Sequence, residues 1–524
     1  MKDDTVSRSA VPRIMSLLLH AHLPYGIRPD LENSLEQAWL FEAVTGCYLP
    51  LLDLVQSLKK RPEAPWFTLS LSPTLLELWA HSEFKTRYRK HLKEGLTIIE
   101  NEAANRKHAL ERRQLALEIR KNWLEASKRF EAIDGKLAEA FSQEAQKGKI
   151  ELITTAATHA FLPAYQNNAP LRHFQIENGI RTFTKHTGIE PKGFWLPECA
   201  YFPGLEADLQ AHGIEYFCLE QLGLSATTPP SPIRQPLACP NGLLAIGRDT
   251  ALSQNVWSAR SGYPGQPVYK EFHRDGIEQV DEKTCAGFAL PTGDRLPFGL
   301  KYWSVTGAET KNWYNSEVAR NQAKVDAADF VSKLEATEEG LIFLPFDAEL
   351  FGHWWHEGPI WLKHVIDAVN RSPKLELTNT HKASKAFKNP TIGRPAASTW
   401  GRKNDYSFWI NRDTDWIYPL ICQASQTFAL LVSDLNKMDA NPLIQRALRQ
   451  ASRELLLASA SDWPFMIHAG STVEYAMQRI REHISRFHFL AQAISRGSID
   501  EKHLSLLEKL NPAFEEPSFK SFTT

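Results

Sequence analysis

Residues 341–355 read LIFLPFDAELFGHWW. Leu341 to Phe346 is apolar at every position, and the run ends at two carboxylates, Asp347 and Glu349. A short run with no polar face predicts a strand buried on both sides, as in parallel sheets covered by helices. Other stretches share the form. Ile14 to Leu19 runs into His20-Ala21-His22, and WFTLSLSP (66–73) ends in a Ser-Pro turn. GKIELITTAATH (148–159), PKGFWLPECAY (191–201), EYFCLEQLG (215–223) and LLAIGRD (243–249) follow. Helical stretches separate many of them, for example around 39–58 and 170–187. The pattern predicts an α/β fold with a parallel sheet, closed as a barrel or left open. His20, His22, His159, Glu198 and Asp347 all fall at C-terminal strand ends, where barrels carry their active sites.

At 524 residues the chain exceeds one ordinary domain. Residues 85–147 are charged, rich in Ala and Leu and nearly free of Gly and Pro, which predicts an inserted pair of long amphipathic helices. The region of about 220–300 is irregular, and within it LSATTPPSPIRQPLACPNG (224–242) reads as a loop. From about residue 415 the pattern is helical to the end. The expected division is a barrel-type domain over 1–398 and a helical domain over 399–524 packed against it.

Lys plus Arg number 60 and Asp plus Glu 61, so no basic surplus points to nucleic acid or to a membrane surface. A neutral partner fits better. The first residues, MKDDTVSRSAVPRIMSLLLHAHLP, lack the form of a signal peptide, because His20 ends an apolar run of only six residues. No run approaches the roughly 18 apolar residues of a membrane span. The six cysteines (Cys47, Cys199, Cys218, Cys239, Cys285, Cys422) form no CxxC pair, which predicts reduced thiols in a cytoplasmic protein.

His20 and His22 are two apart on a strand and point to one side. They suit a metal site completed by later residues such as His159, Asp347 or His353, or they hydrogen-bond a substrate. In GFWLPECAYFPG (193–204) a single carboxylate, Glu198, stands among apolar and aromatic residues. It is either a structural cap or a functional carboxylate in a dry cleft; so much apolar surface around one charge favours the second. Asp347 and Glu349 repeat the arrangement beside Phe346, Phe351, Trp354 and Trp355, and spacing does not say which of the two is chemical. Two carboxylates from two strands in aromatic surroundings fit glycoside chemistry: one attacks the anomeric carbon, and the other, kept protonated by burial, protonates the leaving oxygen. Trp400, Trp409, Trp416 and Trp463 stand next to polar residues and are candidates to face a sugar, although most tryptophans pack.

These residues carry a resemblance. HAHLPY (20–25), GKIELITTAATHAFLP (148–163), GFWLPECAY (193–201), FDAELFGHWW (346–355) and STWG (398–401) resemble, in order, the five sequence blocks of glycoside hydrolase family 57. SDWPF (461–465) followed by EYAMQRIREH (474–483) resembles the C-terminal helical domain of its branching-enzyme group. The resemblance implies an incomplete (β/α)7 barrel with a helical insertion and a C-terminal α-helical domain contributing to a glucan cleft. It implies a retaining mechanism on an α-glucan such as amylose, starch or glycogen, with neither cofactor nor metal. Glu198 maps onto the nucleophile and Asp347 onto the general acid/base. His20, His22 and His159 map onto active-site histidines. Trp257, Trp355, Trp400, Trp409, Asp462 and Trp463 are the corresponding candidates for binding glucan.

The same resemblance locates a departure. In the branching group a tyrosine-bearing loop after the nucleophile strand closes over the site. Here the corresponding stretch, 224–242, has no Tyr or Phe, and LEQLG (219–223) replaces a DTHG-like turn. A lid that excludes water protects a reactive intermediate. Trp257 and Tyr263 are candidates to compensate. A 1,4-alpha-glucan branching enzyme is the leading expectation. The alternatives are an α-1,4-glucan hydrolase, a 4-alpha-glucanotransferase, or a glucan-binding protein with an impaired site.

Overall fold

The computed structural model describes residues 13–523 apart from 62–63, 228–229, 259, 291, 308–309 and 436–440. The predicted strands form as β1 (Arg13–Ala21), β2 (Thr68–Leu71), β3 (Glu151–Ile153), β4 (Gly193–Trp195), β5 (Tyr216–Leu219), β6 (Leu244–Gly247) and β7 (Gly340–Asp347). An eighth, β8 (Leu375–Thr378), was not expected; it pairs with the first four residues of β1. The pairing is parallel from β3 through β2 and β1 to β7, and from β4 through β5 to β6.

Two seams join these sheets into a ring of seven strands. Trp195 N donates to Thr154 O at 2.8 Å between β3 and β4, and Asp249 N donates to Phe343 O at 2.8 Å between β6 and β7. The second seam is also filled from outside the ring. Leu237–Ala238 pairs antiparallel with β6, and Leu341 N donates to Arg234 O at 2.7 Å. These residues belong to the stretch expected as a lid. The part of it that is described beyond 229 lies against the starting ends of β6 and β7, away from the carboxylates. Unpaired backbone at a sheet edge demands partners, and this loop supplies them.

Side-chain alternation sorts the barrel. Ile14, Leu18, Ile153, Trp195, Tyr216, Cys218, Ile246, Leu341 and Phe343 pack together inside the ring. Met15, Leu17, Leu19, Phe217, Ile342 and Leu344 join the larger core beneath the helices. The same period of two points His20 and Asp347 inward at the C-terminal rim.

The insertion comprises three helices, Phe84–Ala104, Leu110–Ala132 and Leu137–Gln146, one more than expected. The C-terminal part is helical over Ile417–Leu435, Pro442–Ala458, Asp462–Ala469, Val473–Ser495 and Glu501–Leu510. It docks where Ser461 N donates to His159 O at 3.1 Å.

One further element positions the site. Leu35–Ser57 is a continuous helical run, long and apolar enough by length and composition to cross a membrane, although no unbroken apolar stretch marks it in the sequence. It packs in the protein, with 67 % of its most apolar window buried. Pro50 has no N–H for Gly46 O and its ring crowds that carbonyl, and the helix widens to a π turn over Val44–Tyr48 instead of breaking. The turn abuts the loop after β7: a Cβ on Gly352 (φ +111°) would lie 1.9 Å from Gly46 O. Cys47 Sγ also donates to Ala348 O at 3.0 Å.

Gly352→Ala is therefore expected to destabilise the protein by roughly 2–4 kcal/mol. Gly188→Ala, also at positive φ but with nothing within 4 Å, should cost only about 1 kcal/mol. Thermal unfolding of both variants checks this; equal losses would refute the tight contact.

Candidate active site

The turn after β4 places Glu198. Pro197 to Cys199 form one tight turn, with Cys199 N donating to Leu196 O at 2.9 Å and Ala200 N to Pro197 O at 3.0 Å. Glu198 (φ 62°, ψ 22°) and Cys199 (φ 48°) both lie in the left-handed region, which costs a non-glycine residue on the order of 1–3 kcal/mol and persists only where the surroundings enforce it. Here the STWG block enforces it. Ser398 and Tyr201 exchange backbone hydrogen bonds of 2.9 and 3.2 Å, and Trp400 N donates to Glu198 O at 3.1 Å. That pairing also brings Trp400 Nε1 to Glu198 Oε2 at 2.9 Å. Ser461, from the C-terminal helical part, donates to Glu198 Oε1 at 2.8 Å.

Strand register supplies the histidines. His20 stands beside Ser70 of β2 and beside Asp347 of β7. Its Nδ1 meets Ser70 Oγ at 3.0 Å and its Nε2 meets His159 Nε2 at 3.1 Å. His159 Nδ1 meets Ser461 Oγ at 2.8 Å. Burial pulls both rings well below the usual imidazole value, and neighbouring His22 lowers them further, so both are neutral. Hydrogen accounting then fixes their tautomers. Ser461 gives its single proton to ionised Glu198 and accepts from His159 Nδ1–H. His159 Nε2 accepts from His20 Nε2–H, and His20 Nδ1 accepts from Ser70. A chain of four hydrogen bonds thus runs from β2 to Glu198.

His22 differs. Its Nε2 lies 3.2 Å from both carboxylate oxygens of Asp462. Burial lowers its pKa, but the carboxylates of Asp462, Glu349 and Glu198 together outweigh burial and the net shift is upward. The three rings stack, His22 on His159 at 4.2 Å and His20 on Trp195 at 4.9 Å.

The carboxylates are unlike one another. Burial pushes Glu198 up to about 7, against the bonds from Trp400 and Ser461, which favour its charge. Asp347 accepts no hydrogen bond among the described residues. Burial, then Glu349 and Glu198, hold its carboxyl well above the usual range, with Arg248 as the opposing charge. Glu198 therefore ionises first and Asp347 keeps its proton. Glu349, which spacing left as Asp347's rival, is occupied: its Oε1 accepts from His22 N at 3.0 Å and from Tyr48 OH at 2.5 Å.

The structure separates the expected tryptophans. Trp400 is half-buried on Glu198; Trp257, 44 % exposed, lies nearly parallel to it at 6.4 Å. Trp355, Trp409 and Trp463 are each only 1 % exposed and present no face to a cleft. Trp355 packs on Tyr269 and Trp361, Trp409 stacks on Phe161, and Trp463 gives its N–H to Leu457 O. Tyr263 is also buried, its hydroxyl donating to Asp329. Of the two residues considered as substitutes for a lid aromatic, only Trp257 stands at the site. Sequence reasoning missed Ser70 and Ser461.

Two unlike, largely buried carboxylates at the rim of a seven-stranded barrel are the equipment of a glycoside-processing enzyme. The chain belongs to glycosyl hydrolase family 57, whose model matches residues 16–395. A second model, 1,4-alpha-glucan branching enzyme, C-terminal, matches residues 421–522. The chain is 29 % identical to a 1,4-alpha-glucan branching enzyme of Thermococcus kodakarensis over 95 % of its own length and 77 % of that protein. Among solved structures, the alpha-amylase AmyC of Thermotoga maritima shares 32 % identity with a TM-score of 0.90, covering 98 % of this chain and 99 % of that one. The branching enzyme of Pyrococcus horikoshii shares 30 % with a TM-score of 0.87, covering 98 % and 97 %.

A carboxyl whose folded pKa is raised opposes folding once it ionises, so its contribution is intact below the unfolded value and lost as pH rises through the folded one. For Glu198 that window runs from 4.5 to about 7. Glu198→Gln should match wild type in unfolding temperature near pH 4 and exceed it above pH 8, by the equivalent of about 1–3 kcal/mol. A difference that does not grow with pH would contradict the raised value.

Proposed function

We propose that this protein is a 1,4-alpha-glucan branching enzyme that works by retention through Glu198 and Asp347. Glu198 attacks the anomeric carbon of an α-1,4 linkage while Asp347 gives its proton to the departing oxygen. Asp347, then ionised, takes the proton of a sugar hydroxyl on an acceptor chain as that hydroxyl displaces Glu198, forming an α-1,6 linkage. The observation that carries this reading is that the part matching the branching-enzyme C-terminal model reaches into the site's immediate surroundings. The docking edge of that helical part gives Ser461 to Glu198 and Asp462 to His22.

A second reading, α-glucan hydrolysis, has its own support in the likeness to AmyC and in the position of residues 230–242 along the barrel seam. Without a lid from that stretch, exclusion of water falls to Trp257 and its neighbours.

Incubation with amylose distinguishes the two. Branching lowers iodine staining with little new reducing sugar and yields α-1,6 linkages; hydrolysis releases reducing ends in step with lost staining. Glu198→Ala should reduce either activity at least about 1,000-fold, and chelator should not affect it. Full activity in Glu198→Ala would end the proposed mechanism.

Ser461→Ala should raise the acid limb of the kcat/KM profile by about one pH unit, because it removes a donor that favours the ionised nucleophile. An unmoved limb would mean that the Ser461 bond does not tune Glu198.

A further inference from the structure

Beside the loop that follows Asp347 lies a pocket of about 120 Å³ between the π turn and the helical insertion. Glu42, Trp123, Phe272, His353 and Trp354 are among the residues that line it. Two of its polar groups have no partner. The half-buried Glu42 carboxylate makes no hydrogen bond or ion pair with any described residue, and its nearest counter-charge, Lys301, is already paired with Asp275 at 3.3 Å. The His353 ring makes no hydrogen bond among the described residues; it packs edge-on against Phe272 at 5.3 Å. Burial pushes Glu42 up to about 7 and pulls His353 down to about 3, so both stand as weakly charged groups with unused hydrogen-bonding capacity.

Aromatic rings connect this pocket to the nucleophile. Trp400 holds Glu198, Trp257 lies nearly parallel to Trp400 at 6.4 Å, and Trp354 meets Trp257 edge-on at 5.9 Å. Trp257 and Trp354 are 44 % and 38 % exposed, unusual for adjacent tryptophans unless something covers them. The lining carries both signs of charge, Glu42 and Glu271 with Lys270 and Lys301, so it favours neither a lone anion nor a lone cation. A neutral polyol suits it, offering hydroxyls to Glu42 and His353 and a ring face to Trp354 or Phe272.

We infer that this pocket is a further subsite for one glucosyl unit of an α-glucan chain. Residues 352–356, which border the pocket, continue directly from the strand that carries Asp347. The inference rests on the glucan reading above. It adds that long chains are gripped at a distance from the bond being exchanged, through residues that take no part in the chemistry.

His353→Ala, Glu42→Gln and Trp354→Ala test it, Trp354 being exposed enough for its loss to leave the fold intact. Each should raise KM for amylose about tenfold with kcat within about twofold of wild type. A chromogenic α-maltoside, too short to reach the pocket, should be turned over normally. Unchanged KM for amylose in all three variants, or equal losses on both substrates, would overturn the subsite. A parallel measurement separates this from failure of the function itself. In a Glu198→Ala background, which needs no turnover, adding His353→Ala should weaken maltoheptaose binding about tenfold. If wild type leaves amylose unaltered yet that loss of binding appears, the catalytic reading fails and the subsite stands. If amylose is converted but binding is unaltered, the reverse holds.

Discussion

The arrangement depends on one enforced turn. Glu198 adopts a backbone conformation that a side-chain-bearing residue avoids, in a setting that penalises its charge. Neither cost is met locally. The backbone is held by the STWG segment, some two hundred positions away, and the carboxylate by Trp400 and Ser461. Remove the strand pairing between Tyr201 and Ser398, and the indole loses its aim as well. Geometry and electrostatics at this atom are thus one constraint, and the surrounding fold exists in the form that satisfies it.

Burial alone would make Glu198 and Asp347 alike, since it raises both. Hydrogen bonds make them different. Two donors converge on one carboxylate and, among the described residues, none on the other, so the shared penalty resolves into one charged and one neutral group. The histidines extend the asymmetry. His20 and His159, neutral and pinned by Ser70 at one end and Ser461 at the other, form a polarised file directed at Glu198. His22, paired with Asp462, stands outside that file, its pKa raised where theirs are lowered.

Much of this was legible in the sequence, for identifiable reasons. Strands apolar on both faces announced a covered parallel sheet, and their C-terminal ends marked out His20 and Asp347. β8 escaped because Leu375–Thr378 is four residues long and carries Glu376. The helix Leu35–Ser57 was visible, but not that Pro50 would widen it rather than stop it. A serine has no chemical signature, and Ser461 matters only through what faces it. Trp355, Trp409 and Trp463 misled for a related reason: a buried indole needs one acceptor, or none, so neighbouring polar residues say little about its ring. The loop 224–242 was recognisable by composition, whereas its destination was decided by unpaired backbone on β6 and β7.

The contribution of the C-terminal helices also has a temporal side. A chain is made from its first residue onward, so β1 to β7 leave the ribosome well before Ser461 and Asp462 do. Until Ser461 and Asp462 are made, Glu198 lacks the donor to one of its oxygens and His22 lacks its carboxylate partner. These two contributions to the site therefore arrive late in biosynthesis, with the docking of residues 459–462 on the His159 turn.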